Sequence, residues 1–261
     1  MPARMKIRSA YSTLPTAERK VADFILENPD KASLMVINEI AAGAGVSVPS
    51  VTRLAKKLGY NGFMDFRVAL AAGSSSITSL KSGPLTESDS DEAAIEKMFL
   101  AYMRSIEDTL KAIDKGALCA LAKRVVKAGR IFIFGAGSSA MLSADFALQL
   151  NMLGFDATAV SDPVVMELYA ARFKKEDVFI GISRSGRTKN ILDGLRAAKR
   201  RGSFCAFISN YITSPASQIA DSFFCTARVD DLRSSVGKES NVSMYTLLGA
   251  LEVLIARYAQ G

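Results

Sequence analysis

Six consecutive residues, Ser183-Arg184-Ser185-Gly186-Arg187-Thr188, bring three hydroxyls, two guanidiniums and a glycine into one short stretch. An apolar run, 177–182, precedes them and an amphipathic run follows, so the pattern predicts a loop between a buried strand and a helix. Unpaired backbone N–H groups gather at the positive end of a helix, and with hydroxyls beside them they suit an anion such as phosphate. Residues Gly135-Ala136-Gly137-Ser138-Ser139 repeat the design after the strand-like run 130–134. Gly135 and Gly137 are expected to keep side chains out of a ligand's way, and Ser138 and Ser139 to offer hydroxyls at the start of a helix. Two such loops in one parallel sheet predict a single pocket for a phosphorylated small molecule.

Structural alternatives stand beside these roles. Ser183 can serve as strand-end packing, and Thr188 can cap the following helix whether or not a ligand binds. Arg184 either adds a charge-assisted contact to phosphate or points to solvent. Arg187 and Lys189 are expected on the exposed face of the following helix.

A second group of residues has a different chemistry. In the window 37–58, Gly45 can supply the positive φ of a tight turn between two helices. Ser47 suits an N-cap and Pro49 a first helical turn. Val51, Leu54, Ala55 and Leu58 then fall on one apolar face at helical spacing. The opposite face carries Pro49, Ser50, Arg53, Lys56 and Lys57. An apolar back with a polar, basic front is what a helix needs to enter the major groove of DNA. Arg53 is the candidate for a base edge, since guanidinium engages guanine bidentately. Ser50 and Thr52 can touch bases or phosphates, and Lys56 and Lys57 can hold the backbone. Ser47, Pro49, Ser50, Thr52, Arg53, Lys56 and Lys57 together make the predicted double-stranded-DNA face. The bland alternative is a helical hairpin with a solvated face.

The elements that must position these groups follow from composition and pattern. Net charge is +7, which favours a polyanionic partner. Histidine is absent, so the commonest general acid/base and the commonest zinc ligand are both missing. Cys119, Cys205 and Cys225 lack metal-ligand spacing and read as small core hydrophobes of a reducing compartment. No metal and no cofactor is expected. The basic stretch Met1-Pro2-Ala3-Arg4-Met5-Lys6 lacks the apolar core of a secretory signal, and no apolar run approaches the ~20 residues of a membrane helix, so a cytoplasmic protein without a membrane partner is expected.

Everything before about residue 71 looks helical, including a helix over 14–28 with Thr16 as its N-cap. Phe63 and Phe66 are expected in the core of that small domain. Small, polar and acidic residues then mark a linker. Beyond it, apolar runs at 130–134, 157–160, 178–182, 204–209 and 222–226 alternate with helical patterns, which implies a parallel sheet covered on both faces.

These residues resemble a known family. Leu14-Pro15-Thr16-Ala17-Glu18-Arg19-Lys20-Val21-Ala22, Val46-Ser47 through Arg53, and Lys57-Leu58-Gly59-Tyr60 with Gly62-Phe63 are similar to the N-terminal domain of RpiR-type transcriptional regulators. The 135–139 and 183–188 motifs are similar to that family's sugar isomerase (SIS) domain. The resemblance implies an all-α helix-turn-helix domain (1–75), a linker (76–92), connecting helices (93–127) and an α/β SIS domain (128–261) with a five-stranded parallel sheet flanked by helices. It implies a homodimeric or homotetrameric regulator that binds a DNA operator and senses a phosphorylated sugar. By that similarity Ser183, Ser185 and Thr188 clasp the phosphate, with Ser138 or Ser139 contributing from the first loop. Glu239 stands where SIS enzymes can carry a proton-transferring carboxylate; here it can also serve only as a cap of the last helix. The segment departs from the regulators at Asn241, where many have arginine, and this bears on ligand class more than on fold.

Two other readings compete. A phosphosugar isomerase with an appended helical domain would have to move protons with Glu239 and lysines alone. An NAD-linked enzyme would use Gly135-Ala136-Gly137 with Ala140 as a weak dinucleotide fingerprint and Asp156 or Asp162 on the ribose, but it would not need the second hydroxyl-rich loop.

Overall fold

In the computed structural model, which describes residues 3–27, 29–72, 85–229 and 241–260, the chain forms two units. One joins Met1–Ala112 to Ala227–Ser240, and the other joins Ile113–Thr226 to Asn241–Gly261.

The first unit is helical. Its elements are α1 (Ala3–Ala10), a 3₁₀ turn (Tyr11–Thr13), α2 (Thr16–Glu27), α3 (Pro29–Leu34), α4 (Ile37–Gly43), α5 (Val48–Lys57), α6 (Phe63–Ala72) and α7 (Asp91–Ala112). The apolar stripes meet in one core: Ile7 of α1, Val21 and Ile25 of α2, Ile40 and Ala41 of α4, Val51, Leu54 and Ala55 of α5, and Phe66 of α6. Small Ala41 and Ala55 let the helices approach closely. Gly45 adopts φ +62 in the turn between α4 and α5. There Val46 N–H donates to Ala41 C=O at 2.9 Å, so the turn closes on the end of α4. Phe63 and Phe66 are both buried, as expected of core.

The second unit begins with α8 (Lys115–Val126), whose N-cap Asp114 accepts from Ala117 N–H at 2.9 Å. Then β1 (Ile131–Gly135), α9 (Ser138–Met152), β2 (Ala157–Val160), α10 (Pro163–Ala170), β3 (Val178–Ile182), α11 (Lys189–Arg200), β4 (Phe204–Ser209) and β5 (Ser222–Cys225) alternate, and α12 (Val242–Ala259) closes it. All strand pairs are parallel, in the order β2-β1-β3-β4-β5. Strand period decides the two faces. Ile131, Ile133, Val178, Ile180 and Ile182 point toward α8, α9 and α12, while Phe132, Phe134, Phe179 and Phe207 point toward α10 and α11. Both faces are covered, so the strands read as unbroken apolar runs. By length and composition α12 could cross a membrane, but its Met244, Leu247, Leu248, Leu251 and Ile255 are core of this unit. One face of it is packed into the core.

Candidate functional site

The strand order places the polar loops. From β1 the chain steps to β2 on one side, and β3, β4 and β5 continue on the other, so the topological switch point lies between β1 and β3. Open parallel sheets bind ligands at such a crevice, outside the carboxyl ends of the strands. Gly135, the last residue of β1, is in register with Ile182, the last of β3. The 135–139 and 183–188 loops therefore leave neighbouring strands at the same level.

Ser183 stays in the ladder, its N–H donating to Ile208 C=O at 3.1 Å, and is only 3% exposed. Its hydroxyl lies 2.9 Å from that of Thr188 and 3.5 Å from that of Ser185, and accepts from Gly186 N–H at 3.2 Å. Thr188 occupies the N-cap of α11, yet its side chain makes no cap bond. The first N–H groups of a helix have no intrahelical partner, so the start of α11 keeps donors next to three converging hydroxyls. An oxyanion with several acceptor oxygens fits that arrangement. Gly186 adopts φ +60, and a Cβ there would stand 2.4 Å from Ser214 Cβ. Only glycine lets this turn press against Ser214.

The back of the loop is fastened to β4 and β5. Arg184 C=O accepts from Asn210 N–H and from Ser209 Oγ–H, each at 2.9 Å. Asn210 Nδ2 donates in turn to Thr226 Oγ1 at 2.8 Å. Ser209, Asn210, Ser214 and Thr226 were not among the candidate residues. They lie 25 to 42 positions after Arg184, and only the parallel pairing brings them near. Arg184 itself is half-buried. Arg187 is exposed, and Lys189, also exposed, pairs with Asp193 at 2.8 Å, which raises its pKa.

The first loop corrects one expectation. Gly135 does not clear a path for a ligand: a Cβ there would meet Ser143 Oγ at 2.2 Å and Ser139 C=O at 2.5 Å. It lets α9 lie against the end of β1. Gly137 is the open position, with φ +59 and no neighbour where a Cβ would be. Ser138 is exposed and Ser139 is buried at 3%, so the two serines face different surroundings. Asn241, N-cap of α12, donates to Ser138 C=O at 3.4 Å. Glu239 lies outside the described residues.

In the helical unit, Arg53, Lys56 and Lys57 are exposed on α5, with Pro49 and Ser47 at its start and Thr52 half-buried. Ser50, expected on the solvent side, is 2% exposed. Its hydroxyl is 3.2 Å from Ser47 Oγ and accepts from Arg53 Nη2 at 2.8 Å, and the inward polar pairing explains the burial. Ser47 sits at the N-cap as expected, but its hydroxyl makes no cap bond and turns to Ser50 instead.

Comparison with known proteins sets these two units beside each other in one family. Residues 1–76 match the helix-turn-helix domain of the rpiR family, and residues 125–255 match the SIS domain. An HTH-type transcriptional regulator of Haemophilus influenzae is 30% identical over 258 residues, covering 97% of this chain and 88% of the relative. The chain belongs to the rpiR-family HTH–SIS transcriptional regulators. The family's regulator HexR of Escherichia coli is 31% identical over 194 residues, covering 74% of this chain and 67% of HexR. Among solved structures, the Vibrio vulnificus NanR protein complexed with ManNAc-6P superposes with TM-score 0.60 at 25% identity, covering 99% of this chain and 93% of NanR.

Proposed function

We propose that this chain regulates transcription of carbohydrate-metabolism genes: α5 reads a DNA operator, and a phosphorylated sugar bound at the β1/β3 crevice changes operator affinity. The observation that carries the sugar-phosphate half is the convergence of the Ser183, Ser185 and Thr188 hydroxyls at the uncapped start of α11. Ser138 and the backbone beside Gly137 would reach the ligand from the loop after β1, and Arg184, between Ser183 and Ser185, would add a cation. The NanR likeness, with its bound ManNAc-6P, puts amino-sugar phosphates first among ligands to try. For the DNA half, Ser47, Pro49, Thr52, Arg53, Lys56 and Lys57 form the contacting surface, with Arg53 on a base edge and Lys56 on phosphate. Ser50 acts from beneath, through Arg53.

The chain works as a homodimer or homotetramer in the cytoplasm, so two heads meet two operator half-sites. Sugar turnover is not part of this reading: the chain has no histidine, so an isomerase would have to open the ring and shuttle protons with Glu239 and lysines alone. Ligand and operator affinities are reciprocally coupled, by about 1–3 kcal/mol.

The experiment is operator selection from a randomised duplex library with the full-length chain, followed by binding of Arg53→Ala to the selected duplex. Arg53→Ala should lose sequence preference and keep its response to ligand. An unchanged preference would remove α5 from the reading. Turnover of a sugar phosphate at enzyme-like rates would favour the isomerase instead.

A further inference from the structure

Beneath the recognition helix lies an acid that the DNA-binding surface does not include. Glu18 is the third residue of α2, where a carboxylate is favoured by the helix N-terminus. It is nonetheless buried, at 7% exposed. Its Oε1 lies 3.6 Å from Arg53 Nε and its Oε2 lies 3.7 Å from Lys57 Nζ. Both cations belong to α5 and both keep one side toward solvent, Arg53 with 58% of its side chain exposed and Lys57 with 40%.

The geometry at Arg53 is directional. Nε faces Glu18 and Nη2 donates to Ser50 Oγ at 2.8 Å. In a planar guanidinium these two nitrogens share one edge, so that edge faces into the protein, one end hydrogen-bonded to Ser50 and the other ion-paired with Glu18. The end-on fork, with one hydrogen each on Nη1 and Nη2, is what remains for a base edge or a phosphate. A long side chain held on two points of one edge has few rotamers left, so its fork is presented in a fixed direction. Lys57 is held in the same way, between Glu18 and Thr13 C=O, to which it donates at 2.9 Å. One buried carboxylate shared by the two cations offsets one positive charge, so this surface releases fewer counterions from DNA than Arg53 and Lys57 would alone.

We infer that Glu18 is a positioning residue for DNA recognition: it aims the Arg53 fork and withholds one positive charge of Arg53 and Lys57 from sequence-independent phosphate binding. Glu18 thereby trades general affinity for discrimination. The inference rests on the proposed role of α5 in reading DNA.

The test uses the full-length parent, Glu18→Gln, Arg53→Ala and the double variant. Two duplexes are compared: the sequence that the parent enriches from a randomised library, and a scrambled sequence of equal length. Glu18→Gln should bind the scrambled duplex several-fold tighter, and its plot of log affinity against log salt should steepen by about 0.9 as one positive charge is released. The ratio between selected and scrambled affinities should fall about tenfold. In the Arg53→Ala background the Glu18 change should leave that ratio alone, because the aimed group is gone. Glu18→Asp keeps the charge with a shorter reach, and should hold the parental salt slope while lowering the ratio; it serves where Glu18→Gln does not fold. A parental ratio in Glu18→Gln, an equal loss on both duplexes, or the same loss with and without Arg53 would overturn the inference and leave the regulator reading intact. A parent that enriches no sequence would overturn both.

Discussion

The hydroxyls of Ser183 and Thr188 lie 2.9 Å apart across the turn from β3 to α11, with Thr188 in the N-cap position of that helix. An N-cap threonine ordinarily turns its oxygen back on the helix, and losing that bond costs about 1 kcal/mol. Here the oxygen is directed to a side chain, and the first N–H groups of α11 are left to another acceptor.

Ser183→Ala combined with Ser185→Ala should therefore fold normally and fail to bind. Gly186 N–H keeps Ser183 C=O as an acceptor at 3.0 Å, so the turn survives the loss of the Ser183 hydroxyl. A panel of hexose, pentose, amino-sugar and keto-acid sugar phosphates, scanned by thermal shift on the parent, identifies the ligand. At a hundred times its dissociation constant that ligand stabilises the parent by about 2.7 kcal/mol. The double variant should show none of this, and equal stabilisation would move the pocket elsewhere.

Gly186→Ala should damage both fold and site. The left-handed φ alone costs of order 1–3 kcal/mol for a residue with a side chain. The new Cβ would also collide with Ser214 Cβ and Oγ, both of which belong to a neighbouring turn rather than to a flexible tip. The urea midpoint should drop and the sugar-phosphate shift should vanish with it. A variant of parental stability would show that the turn can reopen without its glycine.

The second unit should lose stability in alkali. Burial pushes the thiols of Cys205 and Cys225 up to about 12, with Asp221 adding to the effect at Cys205. An unfolded thiol ionises near 9, so above that pH the unfolded chain releases protons that the folded chain retains. The contribution of the two buried thiols is full below pH 9 and falls as pH rises toward 12. Denaturant midpoints measured at pH 8 and pH 10.5 should show the decline, and Cys225→Ala should shrink it. An identical decline in that variant would assign the alkaline loss to other groups.

What was legible in the chain, and what was not, divides along a physical line. The five strands and the α4–α5 pair were legible because burial on both faces, or on one helical face, writes itself into local period. Val51, Leu54 and Ala55 could be assigned to core from spacing alone, and they are core. Ser50 could not, because its burial depends on Arg53 and Ser47 turning toward it. Ser47 and Thr188 show the same limit in capping. The residue type and position of a cap were readable, but a hydroxyl chooses between backbone and side-chain partners only when the partners are present. A glycine at 135 announces a close approach, but local sequence cannot say which body makes it, and here a Cβ would meet α9 at Ser139 and Ser143. Ser209 and Asn210 left no signal beyond their polarity, and Glu18, though part of the 14–22 motif, gave no sign of its partners. They act on residues 25, 26 and 35 positions away, across elements whose pairing is a property of the fold.

Asp177 offers a change that should separate stability from binding. Its carboxylate, 1% exposed, accepts from Arg130 Nε at 3.1 Å, from Arg130 Nη2 at 2.8 Å and from Lys174 N–H at 2.8 Å. Arg130 is raised in pKa by this pairing, its bonds to Asp177 first among the causes. The two residues immediately precede β1 and β3, so the pair clamps the amino ends of the strands whose carboxyl ends carry the polar loops. A five-residue strand spans about 17 Å, and the clamp lies on the far side of the sheet from the crevice. Asp177→Ala leaves the Lys174 N–H without its acceptor and unpairs a guanidinium that is itself one-third exposed and can turn to water. The cost should be about 3 kcal/mol in urea denaturation, the lower end for breaking a buried pair. Affinity of the folded fraction for the sugar phosphate should stay within about twofold of the parent, within the coupling error of distant sites. A variant that keeps its stability and loses the ligand would contradict the placement of the pocket at the carboxyl ends of β1 and β3.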